Sequence, residues 1–393
     1  MTAATDQREH RRLRVLIAHS FYRLPGGEDR YVSQQVPLLA RRHDVELLSR
    51  HNTDLGGGIA TAARMTMSRR EQRRVEVALD RFSPDVVHLH NAYPSLGPAV
   101  HLAAHRRRVP LVMTVHNFRL RCPNGYMFTE GAPCRRCEGG MYAHAVLHRC
   151  FPSRSQSATY ASALWLHRFV LRLQDKVDLF VTPSEFVGRR VVEWGIPEAR
   201  VMVVRNFTAF ALGRAAPGDY GLYLGRLSGE KGVDVLLRAL REAGDPPFRV
   251  VGDGPLKEPL ARLARDLGLR RVQFTGQVPG DDVPGLLRSA RLLALPSVWD
   301  ENAPIAALEA MTAGRPLVVT RTGGLPELVR GGEGLQCEPG DVQGLAACIR
   351  SLFEDDRLCL QAGERALARA ASELSPEQHL DRLEGAYERA LAL

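Results

Sequence analysis

The chain has 393 residues, of which 45% are hydrophobic and 25% charged, and its formal net charge is +9. That length suits two or three domains, and the composition excludes a largely disordered chain, a collagen-like repeat and a small disulfide scaffold. No run approaches the roughly 18 apolar residues of a membrane-spanning helix, and the first apolar run is too short for a signal-peptide core, so a cytosolic protein is expected.

In chain order, short apolar runs alternate with amphipathic segments. Strands are predicted over 13–18, 45–48, 85–89, 111–115, 179–182 and 201–204, and helices over 30–40, 69–80, 156–174 and 186–193. This is the alternation of a parallel, doubly wound α/β sheet. Residues 208–219 break the pattern with Pro and Gly and form the best linker. The pattern then restarts, with strands over 221–224, 248–251, 272–275, 291–295 and 316–319 and helices over 232–243, 255–267, 282–289 and 304–313. Two further helices, 356–373 and 376–391, follow. The expected domains are 1–207, with a Cys-rich insert at 119–152, then 208–375, then a helix at 376–393 that packs back on the first domain. Ligands of such sheets bind beyond the carboxyl ends of the strands, so the loops there should carry the chemistry.

The charge is uneven: residues 1–210 carry +13, residues 211–393 carry −4, and twelve of the thirteen His lie in the first part. The lysines are Lys176, Lys231 and Lys257; Arg supplies the rest of the positive charge. The basic residues are scattered in twos and threes, without interleaved aromatics or zinc-finger spacing, which argues against a nucleic-acid partner.

Four loops in the second half stand out. Gly225-Arg226-Leu227-Ser228-Gly229-Glu230-Lys231-Gly232 joins a predicted strand to a helix. A helix N-terminus suits phosphate, and Arg226 and Lys231 add a forked and a point charge. Gly252-Asp253-Gly254-Pro255 is a second strand–helix turn. The stretch from Asp300 to Met311 places Glu301 in a loop, Pro304 at the first helical turn, and Glu309 within an otherwise apolar helix. Carboxylates there are suited to accept hydrogen bonds from vicinal hydroxyls. Gly323-Gly324 with Glu327 forms the fourth loop, and Glu327 is expected to face the same cleft.

In order and spacing, these motifs resemble those of a family-4 retaining glycosyltransferase of the GT-B fold (glycosyl transferase group 1). The resemblance covers nearly the whole chain. It implies an α/β architecture of two facing Rossmann-like doubly wound domains with a central cleft. The family's Glu-x7-Glu motif corresponds to Glu301 and Glu309, its phosphate loop to Gly225 through Gly232, its second Gly-Gly loop to Gly323, Gly324 and Glu327, and its first to Gly26 and Gly27. The strand-end His is His116. The resemblance implies that Arg226 and Lys231 neutralise a donor diphosphate without a divalent metal. It implies that Glu309 holds ribose hydroxyls, and that Glu301 with Asn302, Ala303 and Pro304 holds the donor sugar. Gly26 and Gly27 then approach diphosphate and acceptor, and His116 lies near the reacting sugar. The implied donor is a UDP- or GDP-sugar, and the implied reaction is retaining front-side attack with the leaving phosphate taking the acceptor proton. An inverting enzyme would need a base, for which His19, His90 and His116 are the candidates. Rival readings are a GT-B phosphorylase, a sucrose- or trehalose-type synthase, a secondary-metabolite glycosyltransferase, and a non-catalytic sugar-nucleotide binder.

Four of the seven Cys, Cys122-x11-Cys134-x2-Cys137-x12-Cys150, fall in the Gly/Pro-rich insert. Cys-x2-Cys is a metal-chelating spacing, so structural zinc, free thiols and disulfides are all open, with disulfides disfavoured in a cytosolic protein. The insert is expected beside the acceptor. Cys337, Cys348 and Cys359 read as buried thiols. The basic first half and the apolar, Arg-bearing helix 156–174 suit an anionic acceptor or a peripheral site on the inner face of the plasma membrane.

Overall fold

The computed structural model describes residues 11–23, 26–54, 58–209, 213 and 217–393. Half of the expected linker, 210–212 and 214–216, lies outside the described residues. The first six-stranded sheet uses β1 (Arg14–Phe21), β2 (Asp44–His51), β3 (Val86–Leu89) and β4 (Leu111–Thr114). A small antiparallel hairpin, β5 (Phe128–Thr129) and β6 (Ala132–Pro133), interrupts the series. The first sheet resumes with β7 (Leu179–Thr182) and β8 (Val201–Val203), in the order β2-β1-β3-β4-β7-β8. The second six-stranded sheet is built from β9 (Tyr220–Leu224), β10 (Phe248–Val251), β11 (Val272–Gly276), β12 (Ala290–Leu295), β13 (Leu317–Thr320) and β14 (Gly334–Cys337). Its order is β11-β10-β9-β12-β13-β14, with parallel pairing throughout. Central strands such as β3 and β12 are buried along their whole length, as parallel strands covered by helices on both faces must be.

The chain packs into two compact units. One comprises Met1–His116, Ser162–Val181 and Arg382–Leu393; the other comprises Asn117–Ala161 and Thr182–Asp381. In the first, Val15, Leu16, Ile17, Val86, Val87 and Leu111 are fully buried. The last residues of the chain belong to this unit: buried Tyr387 meets His88 Nδ1 at 2.8 Å, and Glu384 pairs with Arg42 at 3.0 Å. In the second, helix Val233–Glu242 turns Val233, Leu236, Leu237 and Leu240 inward and Asp234, Arg238 and Arg241 outward, the i, i+3, i+4 stripe of a helix lying on a sheet.

The elements differ from expectation in a few places. The helix expected over 156–174 runs as Arg154–Trp165, continues as a π-helical turn at Leu166–Val170, and ends before Arg172, which has φ +47°. The turn widens where His167 is buried and meets the Tyr93 hydroxyl. Trp165, Phe169 and Val170 are left exposed there. Strand β14 and helices Ala99–Arg107 and Val342–Glu354 were not expected. Gly334-Leu-Gln-Cys337 lacks β-branched residues, and its pairing with β13 makes it a strand. Among the described residues, no helix is long and apolar enough to cross a membrane.

Candidate functional site

In the second unit the sheet order reverses between β9 and β12. The loops leaving the carboxyl ends of strands at such a switch point line the ligand crevice of a doubly wound sheet. Gly225 to Gly232 leaves β9, and Pro296 to Pro304 leaves β12. The two loops are joined by Val298 N–H donating to Glu230 O at 3.0 Å. Lys231 Nζ lies 2.6 Å from Glu301 Oε1, which also accepts from Ser297 Oγ at 2.6 Å. Glu301 is 5% exposed. Burial pushes its pKa up, but the Lys231 charge and the hydrogen bonds from Lys231 and Ser297 outweigh this and hold it below the ordinary value. Arg226 is exposed and donates from Nη1 to the Tyr126 hydroxyl at 3.0 Å.

Other predicted donor residues belong to the same compact unit. Glu309 sits in helix Ile305–Thr312, 1% exposed, among buried Ala307, Leu308, Ala310 and Met311. Pro304 is the residue just before that helix, and Ala303 O accepts from Asn206 Nδ2 at 3.2 Å. Asn302 is 9% exposed. The glycines work by close approach. Gly252 has φ +141°, and a Cβ there would stand 1.8 Å from Gly225 O; Gly323 has φ +59°, and its Cβ would meet Glu301 O at 2.2 Å. Gly254 lies against Leu227, and Gly324 N–H donates to Glu301 O at 2.7 Å. These turns thus clamp the backbone of the loops that carry Arg226 and Glu301.

Glu327 does not point with Glu301, contrary to expectation. Its carboxylate accepts from the N–H groups of Glu185 (3.0 Å) and Phe186 (2.6 Å), capping helix Glu185–Glu193, and pairs with Arg205 at 3.2 Å. Two orphan N–H groups and a guanidinium outcompete an open loop for this anion.

In the first unit, the sequence-predicted histidines do come together. His90 Nδ1 and His116 Nε2 are 2.9 Å apart, and Tyr31 lies edge-on to both rings. Burial, with His19 and His88 nearby, holds His116 well below the ordinary imidazole pKa, so it is neutral at pH 7. His19 lies within β1, and its Nε2 is 2.9 Å from Asp29 Oδ1. Gly26 precedes helix Gly27–Leu39, and its N–H donates to Asp29 Oδ2 at 3.2 Å. Asp29 also takes the Tyr22 N–H at 3.3 Å. Sequence reasoning named Gly26 and Gly27 but missed Asp29; its position three residues after the cap was the available signal.

The four insert cysteines, Cys122, Cys134, Cys137 and Cys150, are free thiols lining one small cavity. Burial first, then the neighbouring Cys122, Cys150 and Cys134, pushes the Cys137 thiol up to about 12. Burial also raises Cys122, against the backbone N–H groups of Met127, Gly125 and Asn124 that favour its thiolate. Among the described residues, no group of three or more His, Cys, Asp or Glu is spaced to grip an ion as it stands. The insert belongs to the same compact unit as Arg226 and Glu301, and its Arg135 lies 3.7 Å from Asp300.

Residues 26–206 match the family model for a glycosyl transferase 4-like domain, and residues 205–369 match that for glycosyl transferases group 1. The chain is 32% identical over 321 residues to a glycogen synthase of Mycobacterium tuberculosis, covering 78% of this chain and 69% of that protein. Anabaena HepE, crystallised with UDP and glucose, superposes with a TM-score of 0.68 at 20% identity, covering 96% of this chain and 99% of that one. A sucrose-phosphate synthase from Thermosynechococcus elongatus gives 0.70 at 17% identity, over 97% and 100%. The chain belongs to the group 1 glycosyltransferases and has their GT-B fold.

Proposed function

We propose that the protein transfers a sugar from a nucleotide-sugar donor, of the UDP class bound by Anabaena HepE, to an acceptor hydroxyl with retention of anomeric configuration. The acceptor is a glycan or glycoconjugate, in keeping with a relative named as a glycogen synthase. The observation that carries this reading is the Lys231–Glu301 pair, 2.6 Å apart, on the two loops at the sheet's switch point. When a diphosphate enters, Lys231 exchanges its carboxylate partner for phosphate, and Glu301 becomes available to accept sugar hydroxyls. Arg226 and Lys231 then offset the charge that builds on the leaving diphosphate, in place of a divalent metal. A leaving-group oxygen takes the acceptor proton as the acceptor attacks from the same face. Glu309 takes the ribose hydroxyls, and neutral His116 serves as a hydrogen-bonding partner for the sugar.

Lys231→Ala and Glu301→Gln are each expected to lower kcat/KM for the donor by ~100-fold or more while leaving the melting temperature within a few degrees. Sugar-nucleotide turnover with NMR of the product anomer is the measurement. Near-normal turnover in both variants, or an inverted product, defeats the reading. Turnover that requires inorganic phosphate instead of a nucleotide sugar would favour a phosphorylase.

Two further parts complete the proposal. The four thiols line one cavity but are not spaced to grip an ion as they stand, so a structural zinc enters this proposal only with the loop rearranged around it; a four-thiolate set leaves no open position, so such an ion would have no catalytic part. Exposed Trp165, Phe169 and Val170, with Arg168 beside Phe169, serve as a peripheral contact for anionic membrane. Co-sedimentation with vesicles that is indifferent to anionic lipid content would reject that contact.

A further inference from the structure

The insert reaches the donor loops through aromatic side chains. Tyr126 stands in the turn that follows Cys122, where its N–H donates to Asn124 Oδ1 at 2.9 Å and Asn124 Nδ2 donates to Phe128 O at 3.0 Å. The next residue, Met127, accepts at its carbonyl from Cys134 N–H at 2.6 Å. The position of Tyr126 is therefore fixed by the backbone of the thiol-lined loop. Outward from that loop, Tyr126 Oη accepts from Arg226 Nη1 at 3.0 Å, and the guanidinium carbon lies 5.7 Å from the ring centroid. The same ring packs on Trp299 at 5.6 Å. Trp299 is 7% exposed, clustered with Phe118 and with Met127 of the insert, and Lys231 Nζ lies 5.1 Å over its ring.

Both cations assigned to the diphosphate thus rest on aromatic faces that the insert builds or buttresses. A long exposed Arg loses rotamer entropy when it must be ordered to form a forked contact. A partner that orders it beforehand lowers that cost for the ligand. We propose that Tyr126 is a positioning residue for the donor diphosphate: it holds Arg226 in place, so that the cysteine insert sets donor affinity. This rests on the proposed function only in taking Arg226 as a diphosphate ligand. Tyr126 acts through Arg226, and the hydroxyl and the ring contribute separately.

The test is a double-mutant cycle in the full-length protein, read by calorimetric titration with UDP and by donor KM. Tyr126→Phe is expected to weaken UDP binding ~3- to 10-fold, and Tyr126→Ala more, with the melting temperature and acceptor KM unchanged. In an Arg226→Ala background, Tyr126→Phe is expected to change UDP affinity by less than about twofold. Fully additive effects would overturn the proposal, because Tyr126 would then act independently of Arg226. Unchanged or tighter UDP binding by Tyr126→Phe would also overturn it, tighter binding making the hydroxyl a plug. Wild-type protein that neither binds a nucleoside diphosphate nor transfers a sugar would defeat the functional reading itself. Strong wild-type binding with an inert Tyr126→Phe defeats only the positioning role.

Discussion

At the scale of single residues, three buried acids of the second unit do different work because their neighbours differ. Glu301 is kept ionised by Lys231 and Ser297. Glu309 lies in an apolar helix. Glu327 caps another helix. All three were legible as acids in Gly-rich or apolar contexts, but their partners were not. Glu185 and Phe186 lie more than 140 positions before Glu327 in the chain. Glu327→Ala is expected to cost about 2 kcal/mol of stability, through lost caps and an Arg205 left with fewer anions, yet to change donor KM far less than Lys231→Ala does. Denaturant melts beside donor kinetics separate the two effects. A variant with wild-type stability and lost donor binding would return Glu327 to the donor site.

At the scale of elements, loops and strands were read well where the pattern is local. Helices Asp356–Glu373 and Pro376–Leu391 begin and end as the periodicity predicts. The insert was legible as a four-cysteine element but not as part of the donor-loop unit, since nothing in its own residues encodes Tyr126 meeting Arg226. Its small β5–β6 hairpin has little apolar surface, and the core cluster touching it contains Phe118, Met127 and Trp299. A zinc ion would supply the cross-links that such a loop lacks. Metal analysis of purified protein should give about one zinc per chain, falling to near zero in Cys134→Ser, with UDP affinity falling too. Less than about half an equivalent in the wild type rejects the site.

At the scale of the whole molecule, the buried histidines are expected to make the protein acid-sensitive. Burial holds His101 down to about 3, with His167 and Lys176 adding to the effect; burial likewise holds His167 down to about 4. His116 is also depressed. In the unfolded chain these groups protonate below about pH 6.5, whereas in the folded chain they do not. The unfolded state then binds more protons, so stability is full above that pH and falls as the pH drops toward the folded values. Between pH 7 and 5 the expected loss is ~2 kcal/mol each for His101 and His167. Glu301 has the opposite origin but the same sign: its depressed pKa contributes stability that is lost only below the ordinary carboxylate range. Scanning calorimetry at pH 7, 6 and 5 should show a falling midpoint that His101→Phe flattens. A midpoint constant over that range would exclude neutral burial of these groups.

The sequence by itself determined the two strand–helix series, the restart between them, the loops bearing Arg226, Lys231 and Glu301, and the helix bearing Glu309. These follow from periodicity and helix-start chemistry, which act over a few residues. Its uneven charge pointed to different surroundings for the two parts, and the twelve early histidines proved to include a buried cluster in the first unit. Tertiary structure alone decided which charges meet. Lys231 and Glu301 are 70 positions apart, and Arg226 and Tyr126 are 100 apart. Strand order, not local pattern, brings the β9 and β12 loops side by side, and backbone hydrogen bonds through the insert place Tyr126 against them.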